Sequence, residues 1–174
     1  VGAERDDLAS QHVEILAEGG AIHAKAIHFD VQAGACKVLL HDIGKVVLYV
    51  KWPNVGNSIK DALKTRADCS LFEVEQELTG LSHADIGGCL ANAWHLPVTL
   101  REPILFHHDP TLAKEAKLQT AIVHVADILV KGLACGNPGD DLIPPLSRAA
   151  WDMVGLDEQR LAECIEQASN EFST

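Results

Sequence analysis

Seven side chains carry the chemistry this sequence offers: His12, His41, Asp42, His83, His107, His108 and Asp127. Imidazole and carboxylate donors together suit a transition metal such as Zn, Fe, Mn or Ni. The stretch "LLHDIGKVVLYV", residues 39–50, sets His41, Asp42 and Lys45 among aliphatic residues. Burying such groups is costly unless they are paired or bound to a metal. Asp127 stands in a similar setting, inside "IVHVADILV". Each residue also has an ordinary structural reading. His41 fits a core histidine bonded to a carbonyl, Asp42 a partner for Lys45, and Asp127 a partner for His124. His107 and His108 suit a helix C-terminus, where the macrodipole favours them. The His-Asp dipeptide is itself weak, since it recurs at His108-Asp109 and short motifs arise by chance. For any one residue the ordinary reading wins, but it must hold independently six or seven times. Jointly the residues point to helices converging on a metal centre. His23, His28 and His95 read as surface or boundary positions.

The elements that must position these residues are helical throughout. Residues 6–27 have helical apolar spacing, weakened by Gly19-Gly20, and carry His12 mid-helix. Residues 31–50 form a second long segment with a bend expected at Gly44; it carries His41 and Asp42 mid-helix and stops before Pro53. Residues 58–67 and 70–80 are short amphipathic pieces. The segment 82–96 opens with Ser82 as a cap and Asp85 in its first turn, beside His83. Residues 98–108 close on the two histidines and carry Pro103, which is tolerable only near a helix start. A buried helix over 116–133 carries Asp127. Residues 134–145 read as a loop from their Gly, Pro and Asp content. Segments 147–155 and 157–172, the latter capped by Asp157, finish the chain. With no strand alternation and no repeat, the expectation is an all-α bundle of about eight to ten helices with a metal site between them.

Composition sets limits on partners. The net charge of −11 argues against a general binder of nucleic-acid backbone. A small anionic substrate remains compatible, because a bound metal reverses the local field. Cys36, Cys69, Cys89, Cys135 and Cys164 form no C-x-x-C pair. They read as reduced core residues of a cytoplasmic protein rather than a disulfide framework. The sequence contains no run of membrane-spanning length and no signal peptide.

Four pieces, "LLHDIGKVVL", "ELTGLSHADIGGCLANAWHLP", "ILFHHDP" and "AIVHVADILVKGL", resemble the HDOD family, a branch of the HD superfamily related to the HD-GYP phosphodiesterases. The resemblance runs in order over roughly residues 10 to 172. It implies an HD-type helical bundle holding one or two divalent metals, with His41 and Asp42 as the signature pair and Asp127 as the last aspartate. His12 stands near the place of the first histidine. His83, His107 and His108 match the extra ligands of binuclear members. The sequence departs from the HD-GYP pattern after the double histidine, where "HHDPTLAKEA" has no G-Y-P, and at Leu8, where a glutamate is common. The resemblance further implies one HD/HDOD-like domain over residues 1–174, without the N-terminal half of full HDOD proteins.

Three functions are compatible with this set. The leading one is a metal-binding regulatory domain for signal transduction, acting on a signalling protein partner or a small phosphorylated ligand. The second is a metal-dependent phosphohydrolase acting on nucleotides or cyclic nucleotides, with Asp42 bridging two metals and Lys45 offsetting phosphoryl charge. The third is a di-iron oxygenase, because some HD-superfamily members use a similar set of four histidines and two aspartates. Lys45 is the one cation evident at the site, so weak turnover is expected for want of substrate positioning.

Overall fold

In the computed structural model, residues 40–66, 68–133 and 142–172 are described, with side chains through 166. These residues are all-helical and contain no strand. The α-helices are α1 (Ile43–Lys51), α2 (Pro53–Thr65), α3 (Leu71–Thr79), α4 (His83–Ala93), α5 (Val98–Phe106), α6 (Lys117–Gly132), α7 (Arg148–Val154) and α8 (Glu158–Phe172). A single 3-10 turn, Pro110–Leu112, separates α5 from α6. The expected helix over 6–27, with His12, His23 and His28, lies outside the described residues, as does most of the 134–145 loop.

Local sequence chemistry places several helix ends. Ser70 and Glu73 form a reciprocal capping box at the start of α3, and Ser82 and Asp85 do the same for α4. Asp157 accepts from the Arg160 amide at 2.8 Å and caps α8, as expected from the sequence. Gly80 ends α3 and Gly155 ends α7 in the left-handed region, where a side chain is unfavourable.

Several expectations need correction. His41 and Asp42 are not mid-helix: they form a turn ahead of α1, whose N-cap is Asp42. Aspartate is poor in a helix interior, and here its carboxylate is directed at side chains instead of its own helix. Gly44 marks no bend. It lies in a close crossing of α1 with α4, where an added Cβ would collide with the His83 carbonyl and the Gly87 amide. The helix expected over 58–67 begins five residues earlier, because Pro53 occupies its first turn, where the missing N–H is no loss. Pro103 sits inside α5, not near its start. The cysteine reading also changes: Cys164 is exposed, and Cys69 and Cys89 are only half-buried. All three are free thiols, while Cys36 and Cys135 lie outside the described residues.

Among the described residues, two apolar clusters hold the helices. Val47, Leu48, Ile59, Leu71, Val74, Ile86 and Leu90 pack α1 to α4 together. Ala121, Val125 and Ala150 join α6 to α7, with Leu129 and Trp151 against them. Helix α4 packs on both α1 and α5, and α5 packs on α6. The polar residues singled out in the sequence lie along this chain of contacts. They come from the turn before α1, the first residue of α4, the end of α5 and the middle of α6.

Candidate metal centre

The structure brings six of the seven expected residues together, and His12 is not among the described residues. His83, His107 and His108 place ligand nitrogens within 4.8 Å of one another, and so do His41, Asp42 and His107 with their donor atoms. His107 belongs to both groups. Asp42 faces both: its Oδ1 is 3.2 Å from His83 Nε2 and 3.9 Å from His107 Nε2, while its Oδ2 is 3.3 Å from His41 Nε2. Asp127 Oδ1 lies 3.7 Å from the same His41 Nε2.

Each buried ring is oriented from behind. His83, the first residue of α4, donates from Nδ1 to Glu75 Oε2 at 2.6 Å. The same oxygen accepts from the His83 backbone amide at 2.7 Å. Nε2 of His83 therefore points at the cluster, in the carboxylate–histidine arrangement that orients metal-ligating imidazoles. His107 donates from Nδ1 to the Ile104 carbonyl at 2.9 Å, a partner supplied by the end of α5. With that proton placed, His107 Nε2 carries a lone pair. It is buried and has no hydrogen-bond partner among the described residues. His108 Nε2 lies 2.9 Å from His83 Nε2.

The electrostatics follow from this crowding. Burial, and then the neighbouring imidazoles His41 and His83, push His107 well below the ordinary histidine range. His108 is lowered by burial and then by His107 and His83. Neutral imidazole is the form that binds metals. Burial acts to lower His83 too, but hydrogen bonds to Asp42 and Glu75 outweigh it and raise the ring. Burial works to raise Asp42 and Asp127, yet Asp42 is held far below the usual carboxylate range by His41, His83 and Lys45. Asp127 is likewise lowered by His41 and Lys131.

A transition metal fits this donor set. The orphaned Nε2 of His107 lies where the two donor groups overlap, and Nε2 of His83 faces the same cluster. His41, Asp42, His83, His107, His108 and Asp127 are the described side chains placed to hold a metal, which would supply Lewis acidity at a bound oxygen.

Other expected partners are resolved differently. Asp127 pairs with His41 and Lys131, not with His124. His124 Nδ1 donates to the His107 carbonyl at 2.7 Å, and its Nε2 accepts from the Ser147 amide at 3.0 Å. Both its nitrogens are used, so it ties α6 to the end of α5 and the start of α7. His95 is exposed, as expected. Lys45 does reach Asp42, at 2.8 Å. It is not the one cation at the site: Lys131 Nζ lies 3.9 Å from Asp127 Oδ2, with its side chain 6% exposed. Lys131 stands four residues after Asp127, on the same helix face, so the spacing rule that paired Asp42 with Lys45 also finds it. Glu75 was invisible for another reason. In "LFEVEQELT" it looks like any polar position of a short amphipathic helix, yet it is fully buried.

The fold and cluster define an all-helical domain with convergent histidines and aspartates between helices. The family model for the HDOD domain matches residues 10–110. That stretch covers more than half of the chain, and the chain belongs to the HDOD domain family. Asp127 and Lys131 lie beyond the matched stretch. The chain is 26% identical over 122 residues to an uncharacterized protein of Treponema pallidum (strain Nichols), covering 70% of this chain. It spans only 23% of that relative's length. No solved structure matches. No described helix is long and apolar enough to cross a membrane.

Proposed function

We propose that this chain is a metal-binding regulatory domain of the HDOD type. It holds one or two divalent transition metals through His41, Asp42, His83, His107, His108 and Asp127, with His12 as a further ligand. The observation that carries this reading is the buried His107 Nε2, left as a lone pair by the Nδ1 bond to the Ile104 carbonyl and lacking a hydrogen-bond partner among the described residues at the overlap of two donor groups. Leaving such an atom unsatisfied is costly, and a cation removes the cost. The proposed setting is cytoplasmic signal transduction, with a signalling protein or a small phosphorylated ligand as partner. Elemental analysis of the purified chain tests the metal. One or two equivalents are expected, falling sharply in His107→Ala. Less than about a tenth of an equivalent after supplying Fe, Mn and Zn ends the binuclear or mononuclear reading alike.

A second reading, a phosphohydrolase, has its own support in the two lysines beside the cluster. In it Asp42 holds the metal and Lys45 offsets phosphoryl charge. Turnover of a cyclic mono- or dinucleotide above roughly 1 s⁻¹, abolished by Asp42→Ala, would replace the regulatory reading with this one. Slow or absent turnover is expected.

A further inference from the structure

We propose that the groove between α4 and α5 is a binding site for a short apolar peptide, recognised by its two free termini. It is separate from the histidine–aspartate cluster and does not rest on a metal. A cavity of about 440 Å³ lies there, lined by Leu81, Asp85 and Cys89 from the α4 side and by Arg101, Leu105 and Phe106 from α5. That volume falls within the roughly 300–1,000 Å³ of small-molecule clefts. None of these residues is a candidate ligand of the cluster. On α4, His83, Gly87 and Leu90 are buried against the rest of the fold. Asp85, Gly88, Cys89 and Asn92 line the groove instead, at the i, i+3, i+4, i+7 spacing of a separate helix face. The groove floor is apolar where Leu105 lies across bare backbone: a Cβ at Gly88 would come within 2.6 Å of Leu105 Cδ1.

Charge then selects the occupant. At one end Arg101 donates to the neutral Asn92 Oδ1 at 3.0 Å, and among the described residues no carboxylate forms an ion pair with it. Glu102 beside it is already engaged, because the backbone amides of Lys114, Glu115 and Ala116 hold its oxygens. At the other end Asp85 accepts through Oδ2 from the Ser82 amide at 2.8 Å and the Ser82 hydroxyl at 2.6 Å. Its charge reaches into the groove: burial, and then Asp85, push the Cys89 thiol up. Asp85 and Asn92 stand about two turns apart, roughly 10 Å along the helix axis. The groove therefore suits a carboxylate at Arg101, a cation at Asp85 and an apolar body between them. About three residues of extended chain span roughly 10 Å, with an ammonium at one end and a carboxylate at the other. Such a ligand carries no net charge, so the overall charge of −11 does not repel it.

The experiment follows alkylation of Cys89 by iodoacetamide in the full chain, resolved by peptide mapping. Cys69 and Cys164 are the internal references, and the peptide Ala-Leu-Ala is the probe. At roughly four times its Kd the probe should slow Cys89 about fivefold and leave Cys69 and Cys164 unchanged. Calorimetry gives the affinity. The C-terminal amide of the peptide should bind about tenfold more weakly, the low end for losing a hydrogen bond to a charged group, and so should the N-acetyl peptide. Arg101→Met should bring the free peptide down to the affinity of the amide, while Arg101→Lys retains part of the difference. Asp85→Asn should likewise erase the effect of acetylation, and it keeps an oxygen for the Ser82 cap. The Arg101 variants carry the test should Asp85→Asn fold poorly. No protection of Cys89 at about 10 mM peptide, where even a millimolar Kd would nearly fill the site, overturns the proposal. So does equal binding of the free, amidated and acetylated peptides. Octanoate protecting Cys89 as well as the peptide does would make this a site for a plain carboxylate. Protection that grows with protein concentration alone would make it an interface between copies of the chain. Either result overturns the peptide assignment.

Discussion

The candidate metal centre and the turn around Glu102 handle buried polar groups in opposite ways. Glu102, on α5, is buried and accepts from the backbone amides of Lys114, Glu115 and Ala116, the last at 2.6 Å. Burial tends to raise its carboxyl, but these three amides outweigh that and hold it below its ordinary value. The chain satisfies this charge by itself, at the positive N-terminal end of α6. The centre does not close in that way. His107 Nε2 has no hydrogen-bond partner among the described residues, and neither does Glu75 Oε1, although both are buried. His124 repeats the lesson at closer range. It is as buried as His107 and belongs to the adjoining helix, yet both of its nitrogens are bonded within the protein. A buried polar group with its own partners is part of the framework. One left with an inward lone pair is a candidate ligand.

The largest expected effect comes from filling or emptying the open region. Metal at 100 to 1,000 times its Kd should stabilise the fold by about 3–4 kcal/mol. Chelation should then lower Tm by roughly 6–16 °C for a chain of this size. A melting curve that is unchanged after verified metal removal would break the comparison outright, since the centre would then be as self-sufficient as the Glu102 turn.

Glu75→Gln comes next. It keeps an acceptor for His83 but removes the charge behind the ring, so metal affinity should fall by about 10- to 100-fold. Metal titration checks this, and a fall of less than twofold would make Glu75 a framework residue like Glu102.

Glu102→Gln should do the reverse, costing about 1.5 kcal/mol of stability and leaving metal affinity unchanged. Its pH dependence has a defined sign. The folded carboxyl titrates below its ordinary 4.5, so its contribution is complete above that pH and is lost as pH falls through the lower, folded value. Denaturant melts of wild type and variant should therefore differ at pH 7 and converge in acid. A gap that widens in acid would contradict the assigned shift.

The smallest effect is expected at Ser82, whose hydroxyl caps α4 one residue before His83. Ser82→Ala should cost about 1 kcal/mol with little change in metal stoichiometry. A large loss of metal would show that the cap, and not Glu75, sets the position of His83.

Much of this was legible in the sequence because its causes are local. The capping box at Ser82 and Asp85, the buried helix around Asp127 and the Asp42–Lys45 pair each involve residues within four positions of one another. The HDOD resemblance and the residues of the donor set were also readable, from motifs met in order along the chain. The misreadings have local causes as well. An unbroken apolar run concealed the turn at His41 and Asp42, and Pro53 was read as ending a helix when it begins one.

The sequence by itself determined which residue types can bind a metal and which helices carry them. Tertiary structure alone decided how they are used. Glu75 and His83 are eight residues apart and His83 and His108 twenty-five, and only the packing of α3, α4 and α5 sets them together. Gly44 needs no side chain for its own backbone, but the crossing of α1 on α4 leaves no space for one. Whether a histidine becomes a candidate ligand, as at His107, or a brace, as at His124, depends on which carbonyl or amide the fold brings within about 3 Å of its nitrogens. That distance is a property of the packed helices, and no spacing within a single helix encodes it.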